Sequence, residues 1–484
     1  MINFIRIIFI LLIMVVAKKI VYIKTFGCSV NQSDAEIMGG LLTKAGFTVV
    51  SAYGDETNLD SKSNSENKNS EDIDSKNPKH VDVVIINTCT VKNLAETKFF
   101  KELRRWNNKN TKIIVTGCIP QAEPKLLDEQ LKNISVIGTR QVVHVVDIVK
   151  DALRDKIVHN LDNDKNEMLN LPKTRRVGIV EIVPISEGCM SNCTYCKTKL
   201  ARGEILSYPK EKIISQFQSA LKEGCREFWI TSQDNGCYGF DIYRKEKYFL
   251  PQLLNELLEL DGDFRIRLGM SNPDHVDRIK DDLVEVFKHP KMFKFLHIPV
   301  QSGNNKVLRE MKRSYVIKDF YNIIDLFRKK IPEITISTDL IAGFPQETEE
   351  EFNDTLKLIK TVKFDVLNFS RFWMRKGTPA ENMKQLPGGI IKERAERIKQ
   401  LFNNLVEEQN IIWLNKECTI LIDEIGKDGI LIGRNDYYKQ IILVDSLFDS
   451  KIASSKISSK IKLGDFVKVK IIRTTKYKLY GEII

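Results

Sequence analysis

The most informative segment of the sequence is Glu187-Gly188-Cys189-Met190-Ser191-Asn192-Cys193-Thr194-Tyr195-Cys196. It places a CxxxCxxC loop directly after an apolar run, 178–185. Three thiolates at this spacing can hold three irons of a 4Fe-4S cluster and leave the fourth iron without a protein ligand. A zinc site ordinarily needs four ligands, and the closest further candidates in sequence are His159 and Cys225. The loop therefore predicts an open cluster. S-adenosylmethionine (SAM) can bind its free iron, and reductive cleavage then releases a 5'-deoxyadenosyl radical.

Apolar strands and helices alternate around and after this loop. The candidate strands are 178–185, 227–231, 265–269, 295–300, 335–341 and 366–372. Helical spacing occurs between them at 211–221, 253–260, 276–287, 317–329 and 349–361. Six such units predict a partial (βα)6 barrel, similar to a TIM barrel but open on one side, whose functional end is formed by the carboxyl ends of the strands.

Polar residues and glycines follow several of these strands, at 231–234, 271–273, 301–303 and 343–345. Each is weak evidence alone, because polar residues commonly end strands, but together they predict a cofactor pocket. The ring of Tyr195 would cover the adenine of SAM or simply pack beside the loop. The side chains expected to line the SAM pocket are Tyr195, Gln233, Asp234, Asn272, Gln301 and Asp339.

One local pattern occurs three times before the loop: an apolar strand, a cysteine at its end, and a helix. The strands are 21–27, 83–88 and 112–117, and the cysteines are Cys28, Cys89 and Cys118. Continuous apolar strands alternating with helices predict a parallel sheet, in which the carboxyl ends of the strands share one edge. A lone buried cysteine usually acts as a small apolar residue. Three at the same point of three units predict a second group of metal ligands.

A third pattern follows a long helix from 391 to about 415. Short strands at 418–422, 429–434, 440–444, 466–472 and 480–483 predict a small antiparallel β-barrel. Its last part is basic, with Lys456, Lys460, Lys462, Lys468, Lys470, Arg473, Lys476 and Lys478. A basic face of this kind fits an RNA-binding surface or a solvated surface.

The composition agrees with a folded protein of several domains. The 484 residues carry a net charge of +11, which favours an anionic partner such as nucleic acid. Nine cysteines are too sparse for a secreted disulfide framework, so we expect a cytoplasmic protein. The apolar run 4–17 resembles the apolar part of a signal peptide but is too short for a comfortable membrane span. We therefore expect no stable membrane association.

These patterns predict an α/β chain with a defined domain order. Residues 1–18 are an apolar extension, and a polar, disordered insertion at 55–79 interrupts the first domain. The remaining divisions are a parallel-sheet α/β domain at 19–150, a linker at 151–176, the partial barrel at 177–410 and the terminal barrel at 411–484.

The sequence resembles the radical SAM methylthiotransferases. The matching segments are 24–34, 87–91, 116–118, 187–196 with 201–203, 297–303, 343–348 and 376–380. The terminal barrel resembles a TRAM domain. Residues 231–234, Tyr238-Gly239 and 270–273 are most similar to the archaeal and eukaryotic branch that acts on tRNA. The chain departs from the family pattern in the 55–79 insertion, in Cys237, and in Arg375-Lys376, where proline often follows the arginine.

The resemblance implies conversion of N6-threonylcarbamoyladenosine, at position 37 beside the tRNA anticodon, to its 2-methylthio derivative. It implies two 4Fe-4S clusters: an auxiliary one on Cys28, Cys89 and Cys118, and a radical SAM cluster on Cys189, Cys193 and Cys196. One SAM methylates sulfur at the auxiliary cluster, and a second supplies the radical that abstracts hydrogen from C2 of adenine. No side chain need act as a catalytic acid or base in that step.

The expected partner is the tRNA anticodon loop, and we expect a monomer. The electron donor and the sulfur source are unknown. Three alternatives remain open from the residues: a methylthiotransferase for isopentenyladenosine in tRNA, one for an aspartate of a ribosomal protein, and a non-catalytic iron-sulfur protein that binds RNA.

Overall fold

The computed structural model describes residues 18–53, 80–90, 93–107, 111–123, 125, 130–164, 166–426, 429–444 and 461–484. Residues 1–17 of the expected extension, the 55–79 insertion, Lys456 and Lys460 lie outside these ranges. Within the described residues, no helix is both long enough and apolar enough to span a bilayer.

The N-terminal domain is a six-stranded parallel sheet of order β2-β1-β3-β4-β5-β6. Its strands are β1 (Ile20–Thr25), β2 (Thr48–Tyr53), β3 (Val83–Thr88), β4 (Lys112–Gly117), β5 (Ser135–Ile137) and β6 (His159–Asn160). Its helices are Ser29–Lys44, Asn93–Asn107, Cys118–Ala122 and Val145–Leu153. The three predicted strands are confirmed as the adjacent strands β1, β3 and β4. Every residue of β3 is buried, as expected for a sheet covered on both faces.

Residues 151–176, predicted as a linker, are packed against both neighbouring domains. They contribute β6 to the edge of the N-terminal sheet, and they bury Met168 and Leu169. The backbone N–H of Thr174 donates to the carbonyl of Glu36 at 2.8 Å, and Lys173 pairs with Glu181 of the next domain at 2.6 Å. Strand β6 has only two residues, too few to show a periodic pattern. The prediction of a linker therefore rested only on the polar composition of this segment.

The central domain is an open barrel made of two parallel three-stranded sheets, ordered β11-β10-β7 and β12-β13-β14. The strands from 180 to 371 are β7 (Val180–Pro184), β8 (Ser186–Glu187), β9 (Leu206–Ser207), β10 (Glu227–Thr231), β11 (Arg265–Leu268), β12 (Phe295–His297), β13 (Thr335–Ala342) and β14 (Val366–Arg371). Strands β8 and β9 form a separate antiparallel pair. A single bridge from Ile266 to Met292 joins the two halves of the barrel. The predicted partial barrel of six strands is confirmed.

Helices cover the outside of this barrel. They are Thr198–Arg202, Lys210–Lys222, Leu250–Leu258, Pro273–Asp277, Lys280–Phe287, Asn305–Glu310, Ile317–Lys330, Glu349–Val362 and Gly388–Ile411. The single helix predicted at 276–287 is instead divided, because Ile279 lies outside the helical region with φ −126°.

The C-terminal domain is a closed barrel of order β15-β16-β17-β19-β18. Its strands are β15 (Glu417–Ile425), β16 (Leu431–Asn435), β17 (Gln440–Leu443), β18 (Phe466–Thr474) and β19 (Leu479–Ile483). The barrel was predicted as antiparallel, but β17 and β19 pair in parallel. Five strands around a closed ring cannot all alternate in direction, so one parallel pair is required.

The terminal barrel docks on the amino ends of the central strands. The turn 436–438 accepts hydrogen bonds from the backbone of Lys294 at 2.7 Å, from the hydroxyl of Thr335 at 2.6 Å and from the guanidinium of Arg265 at 2.9 Å. Tyr438 donates its hydroxyl to Glu227, the first residue of β10, at 3.2 Å. The CxxxCxxC loop follows the carboxyl end of β7, so the two features occupy opposite ends of the central barrel.

Candidate active site

The loop trio, Cys189, Cys193 and Cys196, lies at the carboxyl end of β7. Its first turn requires glycine, since Gly188 has φ +73° and an added Cβ would lie 2.0 Å from the carbonyl oxygen of Glu204. The backbone N–H of Cys196 donates to the carbonyl of Cys193 at 3.1 Å. Burial, Asp234 and the two other thiols raise the pKa of Cys189 to about 12, so binding iron there displaces a proton.

Two neighbouring segments hold the loop trio in place. Thr194 donates its hydroxyl to the carbonyl of Glu310 at 2.9 Å, and its own carbonyl accepts the backbone N–H of Ala380 at 2.9 Å. The guanidinium of Arg313 lies 3.4 Å from the Cys193 sulfur. A buried cation therefore faces one of the thiols, where a cluster of thiolates would carry negative charge.

The strand trio, Cys28, Cys89 and Cys118, forms at the carboxyl edge of β1, β3 and β4. Asn31 organises it: its Oδ1 lies 3.5 Å from the sulfur of Cys28 and 3.9 Å from that of Cys118, and its Nδ2 donates to Thr88 at 2.6 Å. An added Cβ at Gly27 would lie 2.7 Å from the Cys89 sulfur, so glycine is needed for the third cysteine to approach. The structure thus brings the three predicted cysteines together.

A buried arginine connects the two trios. Arg202 donates to Asp34 at 2.6 Å, to Asn31 at 3.3 Å and to Glu187 at 3.3 Å, and its side chain is 1% exposed. Burial raises the pKa of Cys118, and Arg202 opposes that effect. The same guanidinium thus contacts the N-terminal sheet and the residue that begins the CxxxCxxC segment.

Arg375 is a second cation near both trios. Burial lowers the pKa of its guanidinium, while Glu96, Cys89 and Cys196 act in the opposite direction. One cysteine of each trio is therefore within electrostatic range of this side chain. The hydrogen bonds of Arg202 give the geometric link between the trios, because they reach Asn31, beside Cys28 and Cys118, and Glu187, two residues before Cys189.

Both trios fit a 4Fe-4S cluster with one open iron. Each consists of three free cysteines, and in each case a polar or cationic side chain, Asn31 or Arg313, lies against the sulfurs. Arg313 donates to a sulfur of the loop trio, and hydrogen bonds to cluster sulfurs are among the factors that set the properties of such clusters. Asn31 Oδ1 instead accepts from the thiols of Cys28 and Cys118. Cys225 and Cys418 lie in other parts of the fold, the core of the central domain and the terminal barrel.

Three of the predicted SAM-pocket residues contact the loop or support it. Gln233 accepts a hydrogen bond from the backbone N–H of Gly188 at 2.7 Å, and Asn272 donates to the hydroxyl of Ser191 at 3.2 Å. The buried Oδ1 of Asn272 makes no hydrogen bond to the described residues and can accept one from a ligand. Asp234 is different, because its carboxylate already accepts from Asn272 and from His275 Nδ1 at 2.6 Å.

Of the other three predicted pocket residues, Tyr195 lies in the loop itself, and Gln301 and Asp339 lie elsewhere around the barrel. Tyr195 packs edge-on against Phe344, with ring centroids 6.4 Å apart, which agrees with the packing interpretation. Gln301 has φ +71°, and its backbone N–H donates to the carbonyl of Asp339 at 2.8 Å. His297 Nε2 lies 3.0 Å from the Asp339 carboxylate. Gln301 and Asp339 thus belong to the β12–β13 half of the barrel, whereas Gln233 and Asn272 belong to the other half.

Several site residues were not singled out from the sequence. Asn31, Arg202 and His297 fall inside segments that carried the family resemblance, which was the available signal for them. Arg313 carried no such signal, since it lies far from Cys193 in sequence and meets it only in the folded chain.

Comparison with known families agrees with this geometry. The model of the radical SAM superfamily matches residues 183–359, the TRAM domain matches 414–484, and the Uncharacterized protein family UPF0004 matches 53–138. The fold is similar to that of the radical S-adenosylmethionine methyltransferase TsrM from Kitasatospora setae, with a TM-score of 0.51 and 13% identity over 75% of this chain and 74% of that one. Together the fold and the CxxxCxxC loop define a radical SAM enzyme.

Curated relatives identify the family more closely. The probable threonylcarbamoyladenosine tRNA methylthiotransferase of Pyrococcus horikoshii is 35% identical over 96% of this chain and 99% of its own length. The threonylcarbamoyladenosine tRNA methylthiotransferase of Drosophila pseudoobscura pseudoobscura is 36% identical over 96% and 77%, and that of Homo sapiens is 35% identical over 87% and 69%. The chain belongs to the family of threonylcarbamoyladenosine tRNA methylthiotransferases.

Proposed function

We propose that this enzyme converts N6-threonylcarbamoyladenosine at position 37 of tRNA to its 2-methylthio derivative. The observation that carries the proposal is the pair of cysteine trios, which Arg202 connects and which both lie near Arg375. A radical SAM enzyme that only cleaves SAM needs the loop trio alone. A second trio in the same region fits a reaction in which sulfur is also transferred.

The residues of each trio have separate tasks in this proposal. Cys189, Cys193 and Cys196 hold one 4Fe-4S cluster, and the strand trio holds an auxiliary 4Fe-4S cluster. When bound, the first supplies a 5'-deoxyadenosyl radical from SAM and the second supplies the sulfur. Gln233 fixes the turn before Cys189, and Asn272 positions Ser191 and offers its free Oδ1 to the ligand.

The RNA partner is supported by charge and by the terminal barrel. Lys468, Arg473 and Lys478 are exposed on that barrel, and Arg473 lies 3.8 Å from the centre of the Tyr480 ring. A cation beside a half-buried aromatic ring on a basic surface is compatible with RNA binding. The anticodon loop is an unpaired target whose bases can be turned outward into a pocket. We further propose that the protein acts as a monomer in the cytoplasm.

The direct test uses purified protein with iron and sulfide restored. It is incubated with SAM, a chemical reductant and tRNA that already carries N6-threonylcarbamoyladenosine, and the nucleosides are then measured by mass spectrometry. We expect a product in which a methylthio group replaces one hydrogen of the adenine ring. Parallel reactions use tRNA with isopentenyladenosine and a ribosomal-protein peptide containing aspartate. A product from either of those alone would overturn the proposed substrate, and SAM cleavage absent in all reactions would favour the non-catalytic alternative.

A further inference from the structure

A tryptophan is exposed on the loop that follows β14. Trp373 is 56% exposed, and the adjacent Met374 is 41% exposed. The chain has four tryptophans, and Trp106 and Trp413 are buried while Trp229 is half-buried. A single exposed apolar side chain is common on protein surfaces, so a binding role for Trp373 depends on how its loop is anchored and where that loop lies.

The exposure does not come from a loosely attached loop. Phe372 is buried against Phe344, with ring centroids 5.6 Å apart, and its backbone N–H donates to Ala342 at 2.8 Å. Thr378 is also buried and donates its hydroxyl to the carbonyl of Arg375 at 2.7 Å. Trp373 is therefore held outward between two anchored positions, as a rigid binding residue would be.

This loop lies beside the region that the two trios share. Ala380, at its end, donates its backbone N–H to Thr194 of the CxxxCxxC loop at 2.9 Å. Leu200, which is 46% exposed, lies 3.4 Å from the Cβ position of Gly377. Phe372 belongs to the same apolar cluster as Tyr195, next to Cys196. Trp373 thus stands at the carboxyl end of the central barrel, near the entrance to the site.

Two exposed cations lie close to Trp373 in the sequence: Arg371, the last residue of β14, and Lys376, on the loop that follows. One acidic side chain also lies on this loop, because Glu381 accepts the backbone N–H of Gly377 at 2.8 Å. The described residues of the terminal barrel, 411–426, 429–444 and 461–484, dock at the opposite end of the central strands. Strands of three to eight residues separate the two ends by roughly 10–26 Å. Bases near the target adenosine need a contact at the carboxyl end itself.

We propose that Trp373 stacks on an unpaired nucleobase next to the target adenosine and so positions the anticodon loop over the site. Arg371 and Lys376 pair with the flanking phosphates. Aromatic side chains surrounded by cations hold single-stranded nucleic acid in this way, largely without regard to sequence. The inference rests on the proposed function in one respect, which is that the substrate is RNA.

The first experiment measures the intrinsic fluorescence of the full chain while unmodified tRNA is added. Because Trp373 is the most exposed tryptophan, stacking should quench the emission, and the quenching should disappear in Trp373→Phe. A tRNA that binds without any change in emission would overturn the proposal. Quenching by anionic lipid vesicles but not by tRNA would also overturn it, in favour of a membrane contact.

The second experiment compares the steady-state kinetics of Trp373→Ala and Trp373→Phe. We expect Trp373→Ala to raise KM for tRNA about tenfold, with a smaller effect on kcat, since stacking on one base is lost. Trp373→Phe should restore most of the affinity because it keeps an aromatic face. The matched control is Ile157→Ala, an apolar side chain that is 49% exposed and precedes β6 at the amino edge of the N-terminal sheet.

The outcomes separate this inference from the proposed function. If the wild-type enzyme forms the methylthio product and Trp373→Ala has an unchanged KM for tRNA, the stacking role is wrong and the function stands. If the wild type forms no methylthio product but tRNA quenches Trp373, the function is wrong and the RNA contact stands. If Ile157→Ala raises KM for tRNA as much as Trp373→Ala does, the effect is not specific to the aromatic ring and the proposal is wrong.

Discussion

The two cysteine trios are assembled in opposite ways. The loop trio lies within a single segment, 189–196, whose shape is set by Gly188 and by local backbone hydrogen bonds. The strand trio is collected from the ends of β1, β3 and β4, and it exists only when those strands are paired in register. Assembly of the strand trio therefore depends on folding of the N-terminal sheet, whereas assembly of the loop trio depends on folding of the central barrel.

The largest effect should come from removing a cysteine of the loop trio. Cys193→Ala should abolish 5'-deoxyadenosine formation and methylthio transfer together, because three thiolates are needed to hold the cluster. Iron content should fall by about half, because only one of two equal clusters is lost. Chromatography of the SAM products and an iron assay measure both effects. Cys418→Ala, in the terminal barrel, is the matched control and should keep its iron. An active Cys193→Ala enzyme would contradict the assignment of the loop trio.

Removing the strand trio should separate the two chemistries. The triple variant Cys28→Ala, Cys89→Ala, Cys118→Ala should still form 5'-deoxyadenosine but should make no methylthio nucleoside, because the loop trio lies in another domain. Product analysis by mass spectrometry, beside the iron assay, tests this directly. If SAM cleavage is lost as well, the two trios are not independent. Circular dichroism of the variant distinguishes that result from a failure of the sheet to fold.

The next effect concerns the residue that connects the trios. Arg202→Met should destabilise the protein by about 3–5 kcal/mol, because it removes the cation from the buried carboxylate of Asp34 and leaves Glu187 paired with Arg140 alone. Arg202→Lys should recover only part of the loss, since an ammonium group cannot reproduce the forked geometry. Urea denaturation of the metal-free protein gives the free energy of unfolding.

The control for this effect is a surface arginine. Arg397→Met removes ion pairs with Glu349 and Glu393, and its side chain is 33% exposed, so it should cost less than about 1 kcal/mol. Equal losses in Arg202→Met and Arg397→Met would show that the buried network does not hold the two domains together.

The different assembly of the two trios also explains how each could be predicted from the sequence. Both trios were found there, because a short spacing marks the loop trio and a repeated strand-cysteine-helix pattern marks the strand trio. The six central strands and the terminal barrel followed from apolar runs long enough to show a period. The strands β5 and β6 are too short for that, and β6 was included in a predicted linker.

Contacts between distant segments could not be predicted in this way. Arg313 meets Cys193, and Arg202 meets Asp34, only after the chain folds. Asp234 was expected to contact SAM from its place after β10, but the structure shows its carboxylate already hydrogen-bonded to Asn272 and His275. The terminal barrel docks at the amino ends of the central strands through contacts between the surfaces of two domains. The spacing of apolar residues along the chain does not predict such contacts.

The smallest expected effect comes from His275, whose hydrogen bond to Asp234 supports the loop trio but not the strand trio. Burial by itself would lower the pKa of His275, but its hydrogen bond to Asp234 raises it, and Asp274 adds to the rise while Arg278 opposes it. Burial alone would raise the pKa of Asp234, yet His275 and Asn272 together lower it. The charged pair should therefore stabilise the folded protein by about 1.5–3 kcal/mol, the value of a hydrogen bond to a charged group.

The sign of the pH dependence follows from these directions. Because the pKa of His275 is raised on folding, its contribution is complete below the unfolded value of about 6.5 and is lost as pH rises through the folded value. Because the pKa of Asp234 is lowered, its contribution is complete above the unfolded value of about 3.9 and is lost as pH falls through the folded value. The stability difference between wild type and His275→Gln should thus be largest between about pH 4 and 6.5. Urea denaturation from about pH 3 to pH 9 measures it on both sides of this range, and a difference that stays constant over all of these pH values would show that the pair is neutral. Since Asp234 positions Asn272 beside the CxxxCxxC loop, any iron lost from His275→Gln should come from the loop trio and not from the strand trio.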